Sequence, residues 1–229
     1  MKLIVDIFED IVADMRATGT ITNLSEASGI TTVTSVNSLA ASNVVTMDSV
    51  DYILLSASAT NFTVSGTGIT ASTWTAKSPY YEYGHPKEIS NILLERDGND
   101  TLKYQKYPLI VLYTDIGIDR GYNLSYGEIK NLFISIIGLS NKDYSSRQRY
   151  DNVIEPTLYP LYNTLVQKIK QSRYFIGTNP NLKHRLVERP FWGNSSKYGN
   201  VANMFNDPLD ALELENVSMK IREGNTCLT

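Results

Sequence analysis

The residues able to do chemistry are few in this 229-residue chain. It has one cysteine, Cys227, third from the end, and two histidines, His85 and His184. One thiol excludes a disulfide framework and a multi-thiolate zinc site, and two imidazoles leave little for a histidine cage. No Gly-rich loop ends in Lys-Ser/Thr, no GxGxxG follows a strand pattern, and no GxSxG elbow occurs. Gly66-Thr67-Gly68 sits among β-branched residues and reads as a turn. Asp115 and Asp119 share a Gly-containing loop and read as solvated acids rather than cation ligands. Glu213 and Glu215 alternate with leucines, the pattern of a strand with one solvent face. Neither histidine is read as paired with a carboxylate in a catalytic arrangement. The residues thus predict no catalytic centre, no metal and no cofactor. Sequons such as those at Asn23, Asn61 and Asn194 follow from a composition rich in Asn, Ser and Thr.

Two aromatic clusters and one basic run remain. Tyr80, Tyr81 and Tyr83 form the first cluster. Phe191 and Trp192, after Arg189-Pro190, form the second. Both read either as packing between modules or as a protein–protein contact, since Tyr, Trp and Arg anchor interfaces. Arg147 and Arg149 lie before the main helix. They read as a solvated loop or as one half of an inter-subunit salt bridge with the acidic N-terminal helix.

The elements that must position these residues follow from periodicity and composition. Ile4, Phe8, Ile11 and Met15 fall on one face of a helix over residues 3–16, with Gly19 at a plausible C′ position. Asp6, Glu9, Asp10 and Asp14 lie mostly off that stripe. Between Arg16 and Lys77 there is no Lys or Arg, and only three acids, Glu26, Asp48 and Asp51. That segment is dense in Ser and Thr. Strand-like runs occupy 44–47, 52–55 and 61–64, a turn 65–68, and a further strand 69–75. It is predicted to be a small β-sandwich or barrel, the alternative being a flexible linker. Residues 86–96 read as a strand or short helix. Tyr107–Tyr113 and Leu132–Ile137 read as central strands, with residues 114–130 as the loop between them. Ile154, Leu158, Leu161, Leu165 and Ile169 mark a main helix over 153–172. Pro156 is expected in its first turn, and Pro160 to bend it or delay its start. Residues 184–193 and 211–221 read as strands, the latter with a phase slip at Glu215–Asn216 that predicts a β-bulge. The fold class is α+β: a mainly antiparallel sheet covered by the N-terminal helix and a long helix, with an inserted all-β module. The domain division is 1–19 plus 78–229 for the core and 20–77 for the insert.

Composition narrows the function classes. The chain is 42% hydrophobic and 20% charged with a net charge of −3. This suits a globular chain and excludes a strongly basic nucleic-acid binder. No run of about 18 apolar residues predicts a transmembrane helix. The acid-containing N-terminus does not read as a secretory signal. The expected compartment is a reducing cytoplasm, or a particle assembled in one.

The order of elements carries a resemblance. A short acidic helix precedes the strand KYPLIVLY, then LFISIIGLSN, the helix IEPTLYPLYNTLVQKIKQS, and a loop with FNDPLD before the strand ALELENVSMKI. Over roughly residues 1–18 and 80–222 this resembles the tail-terminator, tail-completion and neck ring proteins of tailed bacteriophages. The phrase FTVSGTGITA is similar in texture to phage structural proteins, including those of crAss-like phages. The resemblance implies a non-enzymatic virion protein of the neck or tail, assembled in the host cytoplasm. It implies a homo-oligomeric ring, six- or twelve-fold, that contacts portal, connector and tail proteins. Viral DNA would pass through the lumen without sequence-specific binding, and no membrane would be involved. The split between an acidic N-terminal part and a mildly basic C-terminal part suits head-to-tail contacts. A slightly negative chain suits a DNA conduit. The insert departs from the minimal pattern and leaves open which ring this is. The competing reading is a carbohydrate- or surface-binding module, with the β insert as recognition domain and tyrosines as stacking platforms.

Overall fold

The computed structural model describes residues 2–39, 42–100, 102–114, 116–120, 126–176, 182–193 and 205–222. Cys227, Asp115 and Asn194 lie outside the described residues, as does the side chain of Asp119. The chain is α+β with antiparallel sheets and forms two compact units. One unit comprises residues 1–15, 81–94 and 108–229, and the other residues 16–80 and 95–107. This differs from the 20–77 boundary in a physical way. Residues 95–107 group with the β unit, where Tyr104 and Gln105 lie beside Tyr52 and Leu55, and the segment is tied within itself by Arg96 Nη1, which donates to the Gln105 carbonyl at 2.9 Å, and by the ion pair Lys106–Asp97 at 2.8 Å.

The β unit holds seven strands in the order β1-β7-β4-β5-β6-β3-β2. In chain order these are β1 (Thr18–Thr20), β2 (Asn23–Ala27), β3 (Ile30–Thr34), β4 (Val44–Met47), β5 (Val50–Ala57), β6 (Asn61–Ser65) and β7 (Thr73–Ala76). The long β5 serves two partners. Its first half pairs with β4 and its second half with β6, with a register shift at Leu55. That bulge turns the sheet around a core of Val33, Val45, Met47, Leu54, Phe62, Val64 and Trp74. Three strands escaped the sequence reading because β1–β3 carry mostly Thr, Ser and Gly, with few large apolar residues. Gly19 is corrected as well: it lies in β1 and does not cap the helix. A Cβ there would lie 2.5 Å from Trp74 Nε1, so the residue is small to admit the indole.

The second unit holds the sheet β12-β14-β11-β9-β8, with β10 also on β11 and β13 also on β14. Its elements are α1 (Ile4–Ala13), β8 (Tyr80–Gly84), β9 (Leu109–Tyr113), β10 (Gly117–Arg120), β11 (Tyr126–Leu139), β12 (Phe175–Ile176), β13 (Lys183–Trp192) and β14 (Leu209–Arg222). Residues 114–130 are therefore not simply a loop, because β10 pairs with the start of β11. The helix α2 (Pro86–Asp97) settles the choice left open for 86–96. His85 heads it: its N–H donates to Glu88 Oε2 at 2.9 Å, and its Nδ1 accepts the Lys87 N–H at 3.2 Å.

The main helix begins earlier than its prolines suggest. Ser145 caps α3 (Ser146–Arg149) in a reciprocal capping box with Gln148. A π-helical segment, Tyr150–Leu158, follows with Pro156 inside it, and α4 (Tyr159–Gln171) resumes with Pro160 in its first turn. The Tyr159 N–H bonds the Ile154 carbonyl, five residues back, so the ladder widens where proline withholds a donor. A Cβ on Gly138 of β11 would lie 2.9 Å from Leu158 Cδ2, so this glycine lets the π segment approach the strand. Ile7, Phe8, Ile110, Leu112, Ile134, Ile136, Leu158, Leu165, Leu212 and Leu214 share one hydrophobic cluster.

The expected bulge in the last strand is present. Between Leu132↔Val217 and Ile134↔Leu214, β14 uses one residue more than β11. Asn216 takes φ 55° there. A compensating bulge sits on β11, where Asn131 has φ 57°. Asparagine tolerates this region better than most residues, which favours it at both places.

Candidate functional site

The structure brings four of the eight candidate residues together and separates the rest. Arg149, Arg189, Phe191 and Trp192 meet where β13 and β14 run beside the start of α3. The register explains the meeting. Arg189 lies opposite Ala211, Val187 opposite Glu213 and Arg185 opposite Glu215, so all six occupy one face of the sheet. Leu212 and Leu214 point to the other face and into the hydrophobic cluster.

Glu213 is fully buried, which corrects the expectation of a solvent face. Arg189 and Trp192 lie against the carboxylate, and a paired cation makes burial tolerable. Arg189 Nε donates to Glu213 Oε2 at 2.8 Å and Trp192 Nε1 donates to Glu213 Oε1 at 3.0 Å. Arg189 Nη2 reaches Glu215 Oε1 at 3.3 Å, and Arg185 Nη1 reaches Glu215 Oε2 at 3.4 Å. The hydrogen bond that Arg189 donates to Glu213 holds its guanidinium above its ordinary range, with the charges of both glutamates adding to this. Trp192 also packs on Phe205, with ring centroids 4.8 Å apart.

Arg149 needs correction too. It is 2% exposed, not solvated. Its Nη1 donates to Asp210 Oδ1 at 2.8 Å, and its Nη2 donates to the Asn141 carbonyl at 2.8 Å. Its Nε donates to the Tyr144 carbonyl at 3.3 Å. The guanidinium also lies 4.0 Å from the Phe191 ring centroid, a cation–π distance. Asp210 Oδ1 accepts the Phe191 N–H at 3.0 Å, while Oδ2 has no partner among the described residues. An inter-subunit pair through Arg149 is therefore replaced by an internal one.

Phe191 is the outward member of this group. It is 40% exposed and takes φ 57° in a bulge where three residues of β13 span two of β14. A bulky residue in the left-handed region is strained, and the Asp210 bond and the Arg149 stack hold it there. Neither partner was legible in sequence. Asp210 lies 61 residues from Arg149, and the alternation of acids with Leu in ALELE reads locally as a solvent face.

No family model matches the chain, and no curated protein is significantly similar to it.

The other candidates lie elsewhere. Arg147 is exposed and pairs with Asp151 one helical turn on, at 2.9 Å. Tyr80 is buried, and burial raises its hydroxyl from 10.0 to about 12. Tyr81 is half-buried, bonds the Val5 carbonyl through its hydroxyl at 3.1 Å, and is raised further by burial. Tyr83 is 40% exposed. His184 is held between Tyr162 and a backbone carbonyl: its Nε2 lies 2.8 Å from the Tyr162 hydroxyl, and its Nδ1 lies 2.9 Å from the Leu182 carbonyl oxygen. Between α1 and the end of α4 lies a cleft of about 480 Å³ lined by Asp10, Asp14, Lys168 and Arg173. Among the described residues there is no cluster of three or more His, Cys, Asp or Glu side chains placed to hold a metal. No helix among them is long and apolar enough to cross a membrane.

Proposed function

We propose that the chain is a non-enzymatic virion subunit that forms a ring in the neck or tail-terminator region of a tailed phage. In this reading α1 and the α3–α4 run lie over one face of the sheet, and six or twelve copies surround the DNA channel. Portal, connector and tail proteins are the neighbours. The observation that carries the reading is the Phe191 knob. An exposed aromatic is fixed in a strained backbone by a buried ion pair, at the end of β13, which among the described residues pairs only with β14. Strain of this kind persists where surrounding structure over-determines it, and such sites cluster at clamps and contacts. A rigid aromatic anchor beside arginines is what a subunit contact needs. Exposed Arg147 supplies a cation for the acidic end of α1 on a neighbouring copy, where Asp14 is exposed. Such a contact is head-to-tail and closes into a ring when the rotation permits.

Native mass spectrometry and negative-stain imaging of the purified chain, alone and with its portal and tail neighbours, test this. Six or twelve copies in a closed ring are expected, and Phe191→Asp should disperse them while leaving a folded monomer. One to three copies per particle, or assembly indifferent to Phe191→Asp, overturns the reading.

A further inference from the structure

We infer that a tyrosine-lined cleft on the β unit binds a neutral saccharide. The cleft has a volume of about 340 Å³ and is lined by Asp51, Tyr52, Leu55, Ser65, Tyr104 and Gln105 among others. That volume lies at the lower end of small-ligand sites, enough for one or two sugar rings. All of the lining belongs to one compact unit, and the segment 95–107, which the sequence placed with the core, supplies Tyr104 and Gln105.

The chemistry of the lining selects the ligand. Tyr104 is 38% exposed, with Lys103 Nζ over its ring at 5.3 Å from the centroid, and Tyr52 is half-buried against the module core, so each keeps part of its ring surface open. The electron-rich face of such a ring attracts the polarised C–H groups on the apolar side of a pyranose. Tyr52 sits on β5, and Gly66 with φ 131° passes its ring edge closely: a Cβ there would lie 3.5 Å from Tyr52 Cε1. Any larger residue at position 66 would be strained in that backbone.

The polar groups are placed and underused. Asp51 Oδ1 accepts from Thr46 Oγ1 at 2.7 Å, and Oδ2 pairs with Lys77 at 3.1 Å. Each oxygen is thereby oriented and retains a lone pair for a hydroxyl. Gln105 is half-buried, and its side-chain amide has no partner among the described residues. An amide offers both donors and an acceptor, matching the vicinal hydroxyls of a sugar. The one carboxylate of the lining, Asp51, is already paired with Lys77, so the cleft presents no surplus charge of either sign to select an ionic ligand. The tyrosines first suggested as platforms serve differently, since Tyr80 is buried and Tyr81 is tied to a backbone carbonyl. This site is independent of ring formation.

The test uses the full chain. Ligand-observed and amide-shift NMR titrations are run with neutral tetrasaccharides of glucose, mannose, galactose and N-acetylglucosamine, and with a sulfated oligosaccharide and an oligodeoxythymidine as anionic probes. Saturable, weak binding of at least one neutral sugar is expected, with shifts confined to the amides of 44–65 and 102–107. Tyr104→Ala and Gln105→Ala should each weaken it by about tenfold, the scale of one lost aromatic or hydrogen-bonding contact. Tyr83→Ala, outside the cleft, should leave it unchanged. Far-ultraviolet circular dichroism and melts establish that each variant is folded. If no neutral sugar saturates, if an anionic probe binds more tightly, or if folded Tyr104→Ala and Gln105→Ala both bind like the parent, the inference is overturned.

Discussion

The two units solve the burial of a core by different means. Between Arg16 and Lys77 the β unit has no cation and only three acids. The interior built by that stretch is aliphatic and aromatic, with Phe62 edge-on to Trp74, and its buried polar residues Thr31 and Ser35 carry hydroxyls, while the closing segment adds buried Lys106, paired with Asp97. Ser35 is typical: its Oγ donates to the Thr20 carbonyl at 2.8 Å and accepts from Trp74 Nε1 at 2.8 Å. The α+β unit instead buries Arg149, Asp210 and Glu213 at one end of its sheet. Hydroxyl bonds are forgiving, because each is worth about 1 kcal/mol net. Buried charges are not, because removing one partner strands the other. The contrast says where each unit can be broken, and at the ionic end of the sheet the exposed Phe191 is held by the Asp210 bond and the Arg149 stack.

The largest effect should come from Arg149→Ala. It leaves Asp210 buried without a cation and frees Phe191, and should cost about 3–5 kcal/mol. Chemical denaturation measures this. The double variant Arg149→Met with Asp210→Leu should recover a substantial part. If the single variant costs under about 1 kcal/mol, the ionic end does not organise its unit.

Gly19→Ala should act on the β unit alone and cost about 1–3 kcal/mol, because the added methyl overlaps the Trp74 ring. The chain's two tryptophans report unit by unit, since Trp74 lies in one and Trp192 in the other. In a Gly19→Ala chain, Trp192→Phe leaves only the module's signal and Trp74→Phe only the core's. Equal shifts in both would show that the units unfold together, and the comparison would lose its force.

A smaller effect concerns alkali. Burial raises the Tyr80 hydroxyl from 10.0 to about 12, so the unfolded chain loses that proton first as pH rises. Stability from this group is complete below about pH 10 and is lost by about pH 12. Tyr80→Phe should flatten the decline measured by pH-dependent denaturation. An unchanged slope would place the alkaline sensitivity elsewhere.

The smallest effect on folding should be that of Arg147→Glu. Its pair with Asp151 is exposed and worth at most about 1 kcal/mol. Under the proposed function the same change should weaken assembly, and that loss should resemble the effect of raised salt on the parent chain.

Periodicity alone determined much of this molecule. The stripe Ile4, Phe8, Ile11 marked α1, and the run Ile154, Leu158, Leu165, Ile169 marked the main helix, because one face had to be buried in each. The slip at Glu215–Asn216 showed a bulge because a period of two cannot absorb an extra residue silently. The stretch without Lys or Arg marked a run of β strands. What periodicity could not supply was partnership across distance. Glu213 looked solvent-facing because local alternation cannot say what covers a face. Arg149 looked exposed because its acid lies on β14. Residues 95–107 looked like part of the core because nothing in their composition says which unit they close upon. Tyr52 and Tyr104 looked unrelated, being 52 residues of chain apart, until the fold set them along one cleft. Burial patterns are written locally, in the alternation of apolar and polar side chains. Charge pairing and clefts are made by segments that meet only when the chain has folded, and that meeting is decided by the tertiary structure.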